Sequence, residues 1–202
     1  MKKINYLYYI IYLFIAWFLS VYFAPSSETI RSVIKIIIWG IPLFFICRST
    51  KFLIFKKDNS PLDFRIITKS IIFTSLFLLL YVLGLNQVLN YSISTSISIW
   101  FILNGVIIAP IIEEIVFRGY LLQKLQNNFT FWKANIIQSF LFVCIHFPQW
   151  FARGREITIF SCSWVLLFGI LLGFLKRKTK WLWTCIIIHS IGNILLKTFL
   201  DF

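Results

Sequence analysis

Apolar runs of about 18–20 residues, the length of helix that crosses a bilayer core, alternate with short polar stretches along the chain. The pattern predicts seven spans, at residues 4–24, 32–47, 70–89, 97–122, 132–147, 157–175 and 181–200. The second is short and carries Lys35 near its start. Segment 48–69 holds Arg48, Lys51, Lys56, Lys57, Arg65 and Lys69 and reads as a surface loop. The first run follows Met1-Lys2-Lys3, as in a signal peptide. Its apolar stretch is too long for the usual signal and fits a first transmembrane helix better. Internal repeats and low-complexity tracts are lacking. The expected fold is all-α: a polytopic membrane helical bundle of about seven transmembrane helices, with residues 1–202 forming one membrane-embedded domain.

Composition narrows the class. Of 202 residues, 59% are hydrophobic and 13% charged, and a soluble domain of this length cannot bury so much apolar surface. A net charge of +13 would ordinarily suggest nucleic acid. In so apolar a chain, the position of the charge relative to the spans matters more. With the amino terminus in the cytoplasm, 15 Lys and Arg fall inside, including Arg118, Lys124, Lys133, Lys176, Arg177, Lys178 and Lys180. Only Arg31, Arg153, Arg155 and Lys197 fall outside, with Lys35 within a span. The orientation is therefore N-in and C-out, in a multi-pass protein of a bacterial plasma membrane, with the lipid bilayer and no nucleic acid as partner. Trp132, Trp150, Trp181 and Trp183 lie at span ends, which fits an interfacial belt or simply an aromatic-rich chain. Cys47, Cys144, Cys162 and Cys185 lie in or at the ends of apolar runs without CxxC spacing and read as small apolar residues.

The polar residues inside the spans carry the candidate chemistry. Of seven acidic residues, Glu113 and Glu114 alone lie within a span, with Arg118 one turn later. Both histidines, His146 and His189, are also within spans, and Asn193 follows His189 at i+4. A charge at the bilayer centre costs about 2.5–3.5 kcal/mol on insertion scales, so such residues mark function or compensated pairs. Glu114 and Arg118 share a helix face and form such a pair. Glu113 points about 100° away and is expected to lack a partner, which suits a general base and leaves it dispensable for stability. Phe142 and His146 are likewise i,i+4, as are His189 and Asn193, so each pair presents one face. At about 1.5 Å per residue, Glu113 lies about 14 Å, His146 about 21 Å and His189 about 12 Å from the cytoplasmic helix ends.

Each cluster also has a bland reading. Glu114 and Arg118 are equally a structural bridge, a lone transmembrane histidine is commonly an interhelical hydrogen-bonder, and Asn193 alone is glue between helices. Their joint occurrence favours a site.

The clusters also resemble three known motifs. Glu113-Glu114-Ile115-Val116-Phe117-Arg118 is similar to EExxxR of the CPBP family, the CAAX proteases and bacteriocin-processing enzymes. Phe142-Val143-Cys144-Ile145-His146 resembles its FxxxH, and His189-Ser190-Ile191-Gly192-Asn193 its HxxxN. The motifs stand in family order on separate spans within region 97–200, and the first 95 residues carry no resemblance. The resemblance implies an intramembrane glutamic endopeptidase. Glu113 with His146 would activate water, and His189 with Asn193 would stabilise the oxyanion. Glu114, Arg118 and Phe142 would support them. Family members cleave prenylated CAAX proteins or act in peptide maturation, bacteriocin self-immunity and signalling.

Rival readings stay open. Glu113, His146 and His189 make a His₂Glu set of the kind that holds catalytic zinc, although HExxH is missing and a cofactor-free enzyme is expected. A nonenzymatic immunity or scaffold protein would have no need of an unpaired carboxylate beside two histidines. A small transporter relaying protons through Glu113 explains the acid but not the His and Asn placement. The expected substrate is a membrane-associated peptide or protein precursor, with no assumption that it is prenylated.

Overall fold

A computed structural model describes residues 5–23, 28–50, 62–89 and 97–200, and among these there are helices and no strands. Lys2, Lys3 and residues 51–61 of the basic segment lie outside the described residues. Helix α1 spans Asn5–Phe23. Helix α2 runs from Glu28–Lys35 through a π-helical turn, Ile36–Gly40, into Ile41–Thr50. Helix α3 covers Phe64–Leu89 and so begins inside the segment expected to be loop. Helix α4 is continuous from Ile99 to Leu125, with π-helical turns at Ile102–Ile108 and Ile115–Leu121. Then follow α5 (Phe131–Cys144), the short α6 (Phe147–Ala152), α7 (Ile159–Thr179) and α8 (Leu182–Leu200).

This is an all-α, polytopic helical bundle. Among the described residues five helices, α1, α3, α4, α7 and α8, are long and apolar enough to cross a membrane. The two remaining expected spans differ for physical reasons. Helix α5 has only 14 residues, and α2 carries Glu28, Arg31 and a buried Lys35 in its first turns and Arg48 near its end. Large apolar side chains on the outer faces stay uncovered, Phe73 and Leu80 of α3 among them, as a lipid-facing surface requires. Cys47 and Cys185 are buried and Cys144 and Cys162 partly so, all four as free thiols.

Two prolines set the local geometry of the later helices. Pro148 lacks an N–H and crowds the carbonyl four residues back, that of Cys144, so the fifth expected span does not continue to 147. The helix ends at Cys144, turns at Ile145–His146 and restarts as α6 with His146 as its N-cap. Pro110 acts similarly on α4. There the ladder widens to i→i+5, Ala109 N–H bonding Asn104 O. Residue 110 would serve Gly105 O in that register or Val106 O in the ordinary one, and proline serves neither. Side chains of α8 fill both places: Asn193 Nδ2 donates to Gly105 O at 2.7 Å and Ser190 Oγ to Val106 O at 2.6 Å.

Helices α5 and α7 approach closely across Gly169 and Gly173, a GxxxG pair of the sort that lets membrane helices touch backbone to side chain. A Cβ at Gly173 would run into the Asn135 carboxamide, which donates to Ile170 O at 2.9 Å. The first half of the chain packs onto this unit through a buried cluster that includes Leu13 and Trp17 of α1, Trp39 of α2, Phe117 of α4 and Phe142 of α5. Tyr9 donates to Trp39 O at 2.8 Å, and Trp17 Nε1 to Ile145 O at 3.1 Å. The second bond ties α1 to the bend that carries His146.

Candidate active site

Glu113 and Glu114 end the ordinary α-helical stretch Ala109–Glu114, both buried. Arg118 sits in the π-helical turn that follows, fully buried, with Nη1 on Glu114 Oε1 at 2.8 Å and Nη2 on Gly169 O at 3.2 Å. Its guanidinium lies 4.4 Å from the centroid of the Phe142 ring. The i,i+4 pair read from spacing is therefore present, and it is clamped between α7 and an aromatic face.

Glu114 does more than balance Arg118. Its Oε1 also accepts from His189 Nδ1 at 2.8 Å, and a carboxylate oxygen can only accept. That bond fixes the ring of His189 and turns Nε2 toward Glu113, whose Oε2 lies 3.7 Å away. His146 is set by its own turn: Nδ1 meets Phe142 O at 2.6 Å. A carbonyl cannot donate, so Nδ1 carries the hydrogen and Nε2 of the neutral ring is left as acceptor. The Phe142 ring stands edge-on to both histidines, with centroids 4.8 Å from His146 and 5.9 Å from His189.

One expectation is overturned. Glu113 does not lack a partner, because Lys35 Nζ of α2 pairs with its Oε1. The ammonium also faces the rings of Trp39 at 4.7 Å and Trp17 at 5.2 Å. An isolated ammonium in a span is costly, and this arrangement gives it a carboxylate and two π faces. Asn193, one turn beyond His189, lines the same space but spends one N–H on the Gly105 carbonyl. Its interhelical role is thus present.

Glu113, His146, His189, Asn193, Phe142 and Lys35 share the wall of one cavity of about 420 Å³. Glu114 and Arg118 stand behind it. Sequence reasoning missed Lys35, Trp17 and Asn104, which also line it. The signal for Lys35 was present as a cation within a span, near its start. Nothing in spacing linked it to Glu113, 78 residues away.

The metal reading meets a poor fit. Among the described residues no three His, Cys, Asp or Glu side chains stand together as a metal-binding group. A cation already sits on Glu113 Oε1. No step below is routed through a metal.

Comparison with known proteins points to a family. A family model described as type II CAAX prenyl endopeptidase Rce1-like matches residues 94–195, just over half of the chain. No curated protein matches it. The match takes in α4 to α8, and with them all three motifs. Glu113, Glu114, Arg118, Phe142, His146, His189 and Asn193 all fall inside it, whereas Lys35 does not. The chain belongs to the Rce1-like family of type II CAAX prenyl endopeptidases, the CAAX-type intramembrane proteases.

Proposed function

We propose that the chain is an intramembrane endopeptidase that hydrolyses a peptide bond of a membrane-associated protein or peptide precursor through a glutamate-activated water. The observation that carries this reading is the meeting of Glu113, His146 and His189, from three helices far apart in sequence, on one cavity. Lys35 holds Oε1 of Glu113 and leaves Oε2 for a water. The 3.7 Å between Oε2 and His189 Nε2 is a span that a bridging water fits. In the reaction, water oxygen bonds to the scissile carbonyl carbon as Glu113 takes its proton, and His146 Nε2 accepts from its second O–H. The developing oxyanion receives the second N–H of Asn193 and an N–H from His189 Nε2, a role that requires hydrogen on both ring nitrogens because Nδ1 already donates to Glu114. Glu114 keeps Nδ1 of that ring in place throughout. The proton held by Glu113 then passes to the departing amine as the C–N bond breaks. A single oxyanion donor of this kind is worth about 2.7–4 kcal/mol of barrier.

The proposed setting is a bacterial plasma membrane, with no cofactor. The Lys35–Glu113 pair also suits a protein of bacteriocin immunity or scaffold type that binds without cleaving, since a paired carboxylate has a structural use. The two readings separate in one experiment. Membranes from cells making wild-type chain are compared with those making Glu113→Gln for newly exposed peptide termini, with folded yield measured beside them. Termini present only with wild type support the protease. Identical termini at equal yield leave the binding protein.

A further inference from the structure

Asn104 stands in the first π-helical turn of α4 and is only 9% exposed. Its side-chain Nδ2 has no acceptor among the described residues. A buried donor left unmet weakens the fold, so its presence calls for an explanation. Trp39 Nε1 and Thr184 Oγ1 share that condition, but they belong to residues away from the cavity. Asn104 belongs to the cavity wall.

The part of the wall that α4 supplies is a lane leading to Glu113. Phe101, Gly105, Ala109 and Glu113 border the cavity at steps of four. An α-helix completes a turn in about 3.6 residues, so steps of four drift around it in one sense. The wider i→i+5 ladder of a π turn drifts in the other, and the turn Ile102–Ile108 keeps the four residues on one side. The other polar groups of the lane are engaged. Ser98 Oγ accepts from Phe101 N–H, Gly105 O accepts from Asn193, and Glu113 pairs with Lys35. The Phe101 ring lies against Gly105, where a Cβ would come within 2.8 Å of it. Asn104 therefore brings an unengaged amide to a stretch of wall that is otherwise ring, glycine and methyl. Glu113 lies nine residues further on, about 13 Å along the helix axis. That is the length of about four residues of extended chain.

Given the endopeptidase reading, we propose that Asn104 is a substrate-holding residue. Its carboxamide donates to a backbone carbonyl of an extended peptide segment that lies along α4, about four residues from the bond attacked by the water on Glu113. The χ2 torsion of asparagine is broad, so the amide turns its N–H to an arriving carbonyl without disturbing the helix. Every residue of a peptide carries that carbonyl, and the contact sets register along the cavity rather than sequence.

The test begins with binding, which needs no hydrolysis. A pool of acetylated, amidated apolar dodecapeptides is passed over immobilised wild-type chain in micelles. A retained peptide is then remade with each backbone carbonyl in turn as a thiocarbonyl, which keeps the N–H and weakens the acceptor. Asn104→Leu and Asn104→Ala should resist unfolding at least as well as wild type, because they remove a donor that the fold leaves unmet. Both should bind the parent peptide about fivefold more weakly. In wild type one thiocarbonyl should weaken binding by a similar factor, and the same peptide should show no such loss in either variant. The proposal is overturned if wild type retains no peptide, if both variants bind as wild type does, or if both unfold well before it. A thiocarbonyl profile shared by all three chains overturns it as well. Where the peptide is cut, the sensitive carbonyl should lie about four residues from the cleaved bond; a sensitive carbonyl next to that bond refutes the register. A peptide that binds with the expected dependence on Asn104 but is cut nowhere sinks the endopeptidase reading alone.

Discussion

Replacing Glu113 by Gln tests stability and chemistry together. In wild type, the Lys35 and Glu113 side chains are 9% and 6% exposed, so little water reaches either charge. Removing one partner of a buried ion pair costs about 3–5 kcal/mol, because the other charge is left uncompensated. The Trp17 and Trp39 rings remain beside Lys35 in the variant, and cation–π contacts offset about 0.5–2 kcal/mol of such a loss. Glu113→Gln should therefore destabilise the fold by about 3 kcal/mol. Lys35→Met should do the same, since it leaves Glu113 with only the 3.7 Å approach of His189. The double variant removes both charges and should return to within about 1 kcal/mol of wild type. A coupling of several kcal/mol between contacting sites is the signature sought. Unfolding is followed through the fluorescence of the eight tryptophans as a mild detergent is exchanged for a denaturing one, with peptide hydrolysis measured on the same preparations. Hydrolysis should be absent from both Glu113 variants, including the stable double one. Additive losses would refute the pairing, and activity in the double variant would refute the general base.

Arg118→Ala leaves Glu114 buried without its guanidinium, so stability should fall by about 3–5 kcal/mol in the same unfolding assay, with activity reduced because Glu114, which anchors His189, is no longer held. Gly173→Ala forces the Asn135 carboxamide aside and should cost about 1–3 kcal/mol, as overpacking does. Its catalytic rate per folded molecule should change little. Activity of purified protein should survive exhaustive chelation, and elemental analysis should find no stoichiometric zinc lost in His189→Ala. The pH profile of kcat/KM should be bell-shaped, because one group must be unprotonated and another protonated.

Helical class, the bundle and the three polar clusters were legible because a bilayer makes apolar run length and intramembrane charge unusually informative. The Glu114–Arg118 pair followed from i,i+4 spacing alone, because a helix fixes neighbours at that distance. Features that depend on contact between distant segments were not legible. Spacing cannot show that Lys35 reaches Glu113, or that Glu114 also holds His189. The same limit hid the anchoring of Asn193, which depends on a carbonyl freed by Pro110 on another helix. Pro148 was visible just beyond the fifth expected span, yet the helix end that it forces back at Cys144 was not read. The helix break there gives His146 its place on the cavity wall.

Lys35 and Glu113 are separated by 78 residues, and a ribosome adds residues one at a time. At about 5–20 residues per second, the carboxylate emerges about 4 to 16 s after the ammonium. Throughout that interval the ammonium lacks the carboxylate with which it pairs in the fold. The second helix therefore takes its final depth after the fourth has arrived. The Lys35–Glu113 pair thus couples the final seating of the second helix to the arrival of the fourth.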